Sequence, residues 1–563
     1  MKNSSKKPLP IGISDFKKLR DGGYAYVDKT LLVQEIVEKG TEVALIPRPR
    51  RFGKTLNLSM LRYFFEKSKE DTSYLFKDLN IWKNEKYRAM QGQFPVVFIS
   101  LKDVKHSSLE KTLGAFRKLV AKEYELHRYL LDSELLTERE KNLFHKVVFE
   151  DHDPLLLEES LLLLSEWLHR YHKKRVILLV DEYDTPAHAA YVGNYYESMI
   201  EILRNWISKG FKDNIYLERG VLTGILRIAK ESIFSGANNI STFTILSEPF
   251  RDQFGLLESE VKSLLEDYGL GSKLSEISQW YDGYRMGSSS GIYNPWSVLK
   301  CIAEAGVLSP YWVNTSDNVL MKHLIAKGTD DLKVDIEELL KGGTVEKTID
   351  DGIIFPDLEK SPNAIWSVLL YSGYVTIAST PAHSARCRLR IPNIEVGDLY
   401  RTMILDWFKT SIHEYKYNML LSSLTRGDID TFSQLFREFM ISSVSVFDVP
   451  AEESEKIYHA FILGMLIGLK DRYEVKSNRE SGLGRYDVML IPKNAHDLGI
   501  VMEFKKVGPF EEIDLESAVL SALQQIEDRQ YARELLDRGI SRILYLGFAF
   551  KGKQVLIRSK FKV

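Results

Sequence analysis

Residues Arg48 to Thr55 read RPRRFGKT and contain the residue types of a phosphate-binding loop. A short apolar run from Val43 to Ile46 precedes this segment, and apolar residues at helical spacing follow it, so the pattern predicts a strand, a tight loop and a helix. In that order Gly53 lets backbone amides approach a phosphate, Lys54 reaches its outer oxygens, and the Thr55 hydroxyl ligates Mg²⁺ at the helix N-terminus. The chemistry expected of this stretch is binding of a nucleoside triphosphate with Mg²⁺.

The first half of the loop departs from the usual phosphate loop. In the spacing G-x-x-x-x-G-K-[ST] the leading glycine falls on Arg48, and Pro49 pushes that residue into an extended conformation. The start of the loop must therefore be built differently, and the alternative is an ordinary helix start with Lys54 in solvent. The loop residues predicted to bind the nucleotide are Arg50, Arg51, Phe52, Gly53, Lys54 and Thr55.

A second stretch, Arg175 to Pro186, reads RVILLVDEYDTP. Its apolar run is too short for a helix and is typical of a strand buried on both faces. We predict that Asp181 at the end of this strand contacts the Mg²⁺, directly or through water, and that Glu182 orients or deprotonates the attacking water. The alternative is that Asp181 caps a turn while Glu182 and Asp184 form a solvated cluster.

A third strand is predicted over Gly220 to Ile225. Thr223 in this strand is positioned to sense the terminal phosphate, and Arg227 just after it to supply positive charge to the transition state. Each has a simpler interpretation, since threonine is a common strand former and an arginine after a strand is usually a surface residue.

The last hundred residues contain a separate group of charged side chains. GRYDVMLIP places Asp487 in one strand, and GIVMEFKKV places Glu503 and Lys505 in the next. Because side chains alternate along a strand, Glu503 and Lys505 share a face while Phe504 points the other way. Two carboxylates and an ammonium can then converge, which suits Mg²⁺-dependent attack on a phosphodiester, with Lys505 orienting the water or stabilising charge. The alternative is an amphipathic strand with its charged face in water.

Composition limits the remaining possibilities. A chain of 563 residues suggests about three domains. The net charge of -2 gives no overall electrostatic attraction to nucleic acid. The two cysteines, Cys301 and Cys387, argue against a disulfide framework or a cysteine metal site. There is neither a secretory leader pattern nor a run of about eighteen apolar residues, so we expect a cytoplasmic protein without membrane contact.

Strands alternating with helices predict an α/β fold for the N-terminal part, with a parallel sheet covered by helices. We expect an NTPase domain over residues 1–272, a mostly helical middle region over 273–450, and an α/β nuclease-like domain over 451–563. Clustered Trp and Tyr residues in the middle region are interpreted as core packing, with base stacking as the alternative. The other predicted helices are Thr30–Lys39, Leu109–Leu131, Leu155–Tyr171, Tyr195–Lys209, Glu453–Leu469 and Glu512–Arg538, and the other predicted strands are Phe94–Leu101, Arg472–Lys476 and Arg542–Phe550.

Residues 8 to about 270 resemble the AAA-ATPase-like family, which is often found in bacteria that inhabit animals. The motifs that carry this resemblance are YVDKT, RPRRFGKT, VDEYDTP, GILRIAKESIFSGANN and FGLLESEV. The similarity continues through WYDGY and YNPWSVL into a C-terminal part that resembles the PD-(D/E)XK nuclease superfamily, marked by SNRESGLGRYD, MEFKK and QQIEDRQYA. The arginine in place of the first loop glycine is itself a trait of the family.

The resemblance implies two functional centres and two cofactors, ATP and Mg²⁺. The nucleotide chemistry is expected at Lys54, Thr55, Asp181 and Glu182. The nuclease-like site is expected at Glu480, Asp487, Glu503, Lys505 and Gln525, with Glu480, Asp487 and Glu503 as metal ligands.

Two functions from different classes fit this sequence. The first is an ATP-dependent enzyme whose nucleotide state gates a C-terminal nuclease acting on DNA or RNA. The second is a nucleotide-dependent signalling or recognition switch that binds a protein partner or a second copy of itself, with the nuclease fold serving as a binding module. Intact Asp487, Glu503 and Lys505 favour the first function, and the lack of a clear basic surplus in the C-terminal domain weakens it.

Overall fold

The computed structural model describes most of the chain. The described residues are 6–150, 154–226, 239–312, 330–340, 342–350, 352, 355–359, 361–379, 386–412, 414–443, 462–481, 484–507, 514–551 and 554–562. The chain divides into two compact units, the first formed by residues 1–315 and 346–396 and the second by residues 316–345 and 397–563. The three-domain division at residues 272 and 450 remains a prediction.

A five-stranded parallel sheet forms the centre of the first unit. Its strands are β1 (Val43–Pro47), β2 (Val96–Ser100), β3 (Val176–Asp181), β4 (Leu217–Gly224) and β5 (Ile240–Thr242), in the order β2-β3-β4-β1-β5. All residues of β1 and β3 are buried, as expected for strands covered on both faces. The predicted parallel α/β architecture is confirmed, and β5 was not anticipated.

Helices cover this sheet and make up much of the rest of the first unit. The α-helices are Phe16–Asp21, Leu31–Lys39, Lys54–Phe65, Glu85–Arg88, Leu109–Leu126, Glu138–Val148, Pro154–His172, Thr185–Val192, Tyr196–Phe211, Glu258–Asp267, Leu274–Tyr281, Pro295–Ala303 and Pro362–Ser372. The helix predicted to reach residue 131 ends earlier, because the chain leaves helical geometry at His127 and continues as a 3₁₀ turn, Arg128–Leu130. No helix among the described residues has the length and apolar content needed to cross a membrane.

Short strands lie just before and within the mostly helical middle region. One small sheet contains β6 (Leu256–Leu257), β7 (Tyr284–Met286) and β8 (Ser289–Tyr293), and another contains β9 (Val345–Thr348), β10 (Thr376–Ser379) and β11 (Arg386–Arg390). Tyr281, Tyr293 and Trp312 of this region are at most 4% exposed, which is the burial expected of core packing and not of a base-stacking surface.

The second unit contains a mixed five-stranded sheet. Its strands are β12 (Tyr473–Ser481), β13 (Gly484–Pro492), β14 (Gly499–Lys506), β15 (Ile543–Lys551) and β16 (Gln554–Phe561), paired in sequence order with only β14 and β15 parallel. Further α-helices are Asp330–Leu340, Ile394–Ile412, Glu414–Arg426, Ile429–Ser443, Leu515–Asp528 and Arg533–Asp537. Residues 444–461, which include most of the predicted helix Glu453–Leu469, lie outside the described residues.

Both faces of the second sheet are covered. Phe504 packs with Phe548 on one face, where Phe432 and Phe436 of the helix Ile429–Ser443 join the same core cluster. The other face carries a second cluster that includes residues of the helices after β14. The single helix predicted over 512–538 is two helices instead, because the backbone of Gln530 enters the left-handed region at φ 53°.

Candidate functional site

The loop between β1 and the helix Lys54–Phe65 has the backbone of a tight phosphate-loop turn. Arg51 and Gly53 both have left-handed φ angles, 67° and 86°. No side chain caps the N-terminus of the helix, so its first backbone amides face the loop without a capping partner from a side chain. A Cβ atom added at Gly53 would meet nothing within 4 Å, which leaves open space beside these amides. An uncapped helix N-terminus next to open space is suited to an anion.

Lys54 is buried inside this loop, so the interpretation of a solvated lysine at an ordinary helix start is wrong. Its ammonium donates hydrogen bonds to the backbone carbonyls of Arg48 and Pro49, each at 2.9 Å. Burial lowers the pKa of Lys54, and the nearby carboxylates of Glu182 and Asp181 oppose that shift. The amine is therefore held next to the place where a phosphate would bind the loop.

Arg48 builds the start of the loop where a glycine would normally stand. Its side chain is fully buried, and its guanidinium donates to the carbonyls of Pro47 at 2.8 Å, Phe243 at 2.7 Å and Phe250 at 3.3 Å. The same group lies over the ring of Phe254, with its central carbon 5.1 Å from the ring centroid. Burial lowers the pKa of Arg48 to about 9. The arginine thus fixes the loop through backbone carbonyls of a segment almost two hundred residues later, which no local pattern in the sequence indicates.

Asp181 brings three strands and the loop to one point. Its fully buried carboxylate accepts hydrogen bonds from the hydroxyls of Thr55 at 2.7 Å, Thr223 at 2.7 Å and Ser100 at 3.4 Å. Thr55 and Thr223 approach different carboxylate oxygens. No role was predicted for Ser100 from the sequence, although it ends β2 and pairs in register with Asp181.

Glu182 follows Asp181 with a left-handed backbone, at φ 51°. The Thr185 hydroxyl donates to its carboxylate at 3.2 Å. Burial raises the pKa of Glu182, and the Lys54 ammonium opposes the shift. Asp184 is only 5% exposed and accepts two backbone amides, so Glu182 and Asp184 do not form the solvated cluster considered as an alternative.

Two of the remaining loop residues pack against aromatic side chains of the protein. The Phe52 side chain is buried, with its ring 4.9 Å from that of Tyr284. Arg51 is exposed, and its guanidinium lies 4.3 Å from the ring centroid of Trp296. Arg50 is half-buried, and Arg227 lies outside the described residues.

These residues fit ATP with Mg²⁺. The buried ammonium and uncapped helix amides suit phosphate oxygens, while the Thr55 hydroxyl and the Asp181 carboxylate supply neighbouring oxygen donors of the kind Mg²⁺ prefers. Ser100 and Thr223 orient that carboxylate from the adjacent strands.

The second group of charged residues lies on β13, β14 and the helix Leu515–Asp528. The amide nitrogen of Gln525 donates to a carboxylate oxygen of Glu503 and, at 3.1 Å, to the Tyr531 hydroxyl. The Lys505 ammonium donates to the Gln525 carbonyl at 2.5 Å and lies 3.5 Å from the same Glu503 oxygen. Asp487 accepts the backbone amide of Phe504 at 2.7 Å, which brings it to the β14 strand beside Glu503.

The electrostatics of Glu503 fit a divalent cation. Its side chain is 3% exposed, and its second oxygen is buried without a hydrogen-bond partner. Burial first, and then the negative charge of Asp487, raise the pKa of Glu503 to about 8. A bound cation would satisfy the unpartnered oxygen and offset the repulsion between the two carboxylates.

The predicted third ligand, Glu480, lies on β12 with its backbone opposite Arg485, and its side chain is outside the described part of the structure. Within that part no group of three or more His, Cys, Asp or Glu side chains is arranged to hold a metal ion. Tyr531 was given no role from sequence. The turn at Gln530 places Tyr531 beside Gln525, a contact that a continuous helical periodicity would not reveal.

Two family models match separate parts of this chain. Residues 10–234 match the model described as Predicted AAA-ATPase, and residues 453–560 match that of the PD-(D/E)XK nuclease superfamily. A protein of Azotobacter chroococcum mcd 1, described as "Uncharacterized protein in vnfD 5'region", is 28% identical over 555 residues, which cover 95% of each chain. The chain therefore carries an AAA-ATPase-like domain in its N-terminal part and a PD-(D/E)XK nuclease-superfamily domain in its C-terminal part.

Proposed function

We propose that the N-terminal domain binds and hydrolyses ATP with Mg²⁺, and that its nucleotide state gates a Mg²⁺-dependent nuclease in the C-terminal domain that acts on DNA or RNA. The observation that carries the ATPase part is the hydrogen-bonded group of Thr55, Asp181 and Thr223 beside the buried Lys54. These groups come from the loop and the neighbouring strand ends, and together they supply a cation, hydroxyls and a carboxylate for a triphosphate with its metal.

Each residue of the ATPase site has a distinct task in this proposal. Lys54 leaves the loop carbonyls and binds the outer phosphate oxygens, because a phosphate is a stronger partner for an ammonium than a carbonyl is. Thr55 and Asp181 hold the metal, directly or through water. Glu182 orients or deprotonates the attacking water, a role that its raised pKa supports by making it a better base. Mg²⁺, when bound, neutralises charge on the transferred phosphate.

The nuclease part rests on the convergence of Asp487, Glu503, Lys505 and Gln525. Asp487 and Glu503 are proposed as metal ligands and Lys505 as the group that orients water or stabilises developing charge. Gln525 holds both Glu503 and Lys505 by hydrogen bonds, so it sets their relative position. Metal at this site, when bound, activates water and neutralises the scissile phosphate. The proposed substrate class is a nucleic acid, either DNA or RNA.

A second candidate function is a nucleotide-dependent recognition switch with a catalytically silent C-terminal fold. The observation that favours it is the set of hydrogen bonds among Glu503, Gln525 and Lys505, which already engage the Lys505 ammonium and one Glu503 oxygen within the protein. In that case the C-terminal domain binds a protein partner or a second copy of the chain. The proposed location for either function is the cytoplasm of a bacterium.

The two functions are separated by assaying the purified full chain on labelled DNA and RNA. Reactions with and without ATP, each with Mg²⁺, Mn²⁺ or chelator, measure strand cleavage and phosphate release, and equilibrium binding of ATP is measured on the same protein. Metal-dependent cleavage that changes with ATP supports the gated nuclease. Phosphate release without cleavage of any substrate supports the switch, and failure to bind ATP contradicts both.

A further inference from the structure

The backbone of Glu182 adopts a conformation that residues other than glycine rarely use. Its φ angle of 51° lies in the left-handed region, directly after the strand β3 that ends at Asp181. Such a conformation persists at a functional residue only when the surrounding structure holds it. The next two residues in the chain, Tyr183 and Asp184, provide this restraint through hydrogen bonds.

Tyr183 and Asp184 both form hydrogen bonds where the adjacent strand β4 ends and the following residues begin. The Tyr183 backbone amide donates to the Thr223 carbonyl at 3.1 Å, and its hydroxyl donates to the Leu226 carbonyl at 2.6 Å. One carboxylate oxygen of Asp184 accepts the backbone amides of Ile225 at 2.8 Å and Leu226 at 2.9 Å. Four hydrogen bonds therefore join the chain directly after Glu182 to Thr223 of β4 and to the two residues that follow this strand, Ile225 and Leu226.

The fit between these segments is too close for a side chain at Gly224. A Cβ atom at that position would lie 2.6 Å from a carboxylate oxygen of Asp184 and 2.8 Å from the Tyr183 ring. Tyr183 is fully buried and Asp184 is 5% exposed, so neither side chain can move aside into solvent. Tyr183 and Asp184 are therefore closely packed against Gly224 of β4, and β4 also carries Thr223, which binds Asp181.

From this geometry we infer that Asp184 is a positioning residue of the ATPase site, which holds Glu182 in its left-handed conformation by binding the backbone amides of Ile225 and Leu226. The inference rests on the proposed function, because it assigns Glu182 to the hydrolysis step. The side-chain hydrogen bonds described for Asp184 run to the backbone of Ile225 and Leu226, directly after β4, and not to the phosphate loop. Loss of Asp184 should therefore impair turnover while leaving nucleotide affinity in place.

The test compares Asp184→Ala, Asp184→Asn and Tyr183→Phe with the unaltered full chain. We expect Asp184→Ala to lower kcat at least about tenfold with ATP affinity changed less than about threefold, because the two backbone amides lose their acceptor. Asp184→Asn keeps an acceptor oxygen and should recover much of that loss. Tyr183→Phe removes one tie to Leu226 and should show the same selective effect on kcat, to a smaller extent. Asp132→Asn, an exposed acid of the same unit, is the matched control and should leave both quantities unchanged.

The outcomes separate this inference from the proposed function. A fall in kcat at constant affinity, with recovery in Asp184→Asn, supports the positioning role. Equal kcat in all variants, with normal turnover by the unaltered chain, overturns the inference alone. A parallel loss of affinity, turnover and thermal stability assigns Asp184 a merely structural role and also overturns it. If Asp184→Ala does not fold, Asp184→Asn and Tyr183→Phe decide by the same criteria, and absence of ATP turnover by the unaltered chain overturns the proposed function together with the inference.

Discussion

Thr55 and Asp181 are 126 positions apart in the chain and are joined by a hydrogen bond of 2.7 Å. The strand order explains how they meet. β4 lies between β1, which leads into the loop of Thr55, and β3, which ends at Asp181. Thr223 of β4 is consequently positioned between them and binds the other oxygen of the Asp181 carboxylate. The parallel sheet thus brings three oxygen-bearing side chains to one end, where a phosphate loop requires them.

The first prediction concerns Lys54. Lys54→Ala should weaken ATP binding by about 10-fold to 100-fold, because it removes a charge-assisted contact to phosphate. Equilibrium binding of a fluorescent ATP analogue in the presence of Mg²⁺ measures the change. Lys39→Ala, at an exposed helix end in the same unit, is the control for loss of a positive charge. Equal affinity of Lys54→Ala and the parent would remove Lys54 from the nucleotide site.

The second prediction separates binding from hydrolysis. Glu182→Gln should retain ATP affinity and lose turnover by about 100-fold or more, because the amide keeps the size of the side chain but cannot accept a proton from water. Phosphate release at saturating ATP, together with the binding assay, checks both parts. Turnover equal to that of the parent would show that another group acts as the base.

Sequence patterns predicted the helices and strands better than they predicted the contacts between them. The buried apolar runs indicated β1 and β3, and alternation along β14 correctly placed Glu503 and Lys505 opposite to Phe504, which packs in the core. Local patterns are sufficient for such statements because they reflect burial of one stretch at a time.

Hydrogen-bond partners that are distant in the chain could not be predicted from such local patterns. Arg48 binds carbonyls 195 and 202 positions later, and carbonyl groups are present in every residue, so no side-chain pattern marks them. The left-handed backbone at Glu182 was also unexpected, because the hydrogen bonds that hold it run from Tyr183 and Asp184 to residues directly after β4. These features follow from tertiary contacts, which override local preference.

The third prediction concerns a buried carboxyl group that belongs to neither proposed site. Glu395 is fully buried, where it accepts hydrogen bonds from the Ser297 hydroxyl at 2.8 Å and the Trp312 backbone amide at 2.7 Å. Burial raises its pKa from 4.5 to about 7. The folded chain therefore binds a proton more tightly than the unfolded chain between these values, so this group's contribution to stability is complete below pH 4.5 and is lost as the pH rises towards 7.

Glu395→Gln should remove that pH dependence, because an amide stays neutral throughout. Relative to the variant, the parent should lose on the order of 3 kcal/mol of unfolding free energy between about pH 5 and pH 8. Urea unfolding of both proteins at the two pH values gives the difference, and other titrating groups cancel in the comparison. A parent and variant with parallel pH profiles would mean that Glu395 titrates normally in the folded chain.

The fourth prediction concerns the C-terminal site. Asp487→Ala should abolish metal-dependent cleavage and leave ATP hydrolysis in place, because it removes a carboxylate ligand from a site with its own metal. Lys505→Ala should reduce cleavage but weaken metal binding less than Asp487→Ala, since an ammonium cannot ligate a cation. Calorimetric titration with Mg²⁺ or Mn²⁺ and a cleavage assay on labelled DNA and RNA measure the two effects. Stronger loss of metal affinity in Lys505→Ala than in Asp487→Ala would contradict the assigned roles.

The fifth prediction concerns coupling between the two domains. If nucleotide state gates the nuclease, Lys54→Ala should lower cleavage, although Lys54 precedes Asp487 by more than four hundred positions in the chain. Gating requires that ATP bind two conformations of the protein with different affinities, and the effect on cleavage cannot exceed that difference. Cleavage by the parent and by Lys54→Ala is compared at matched metal and salt, with Lys39→Ala as the control. Equal cleavage by all three would indicate two independent activities in one chain. No cleavage by any of them, with ATP turnover intact in the parent, would instead favour the recognition switch.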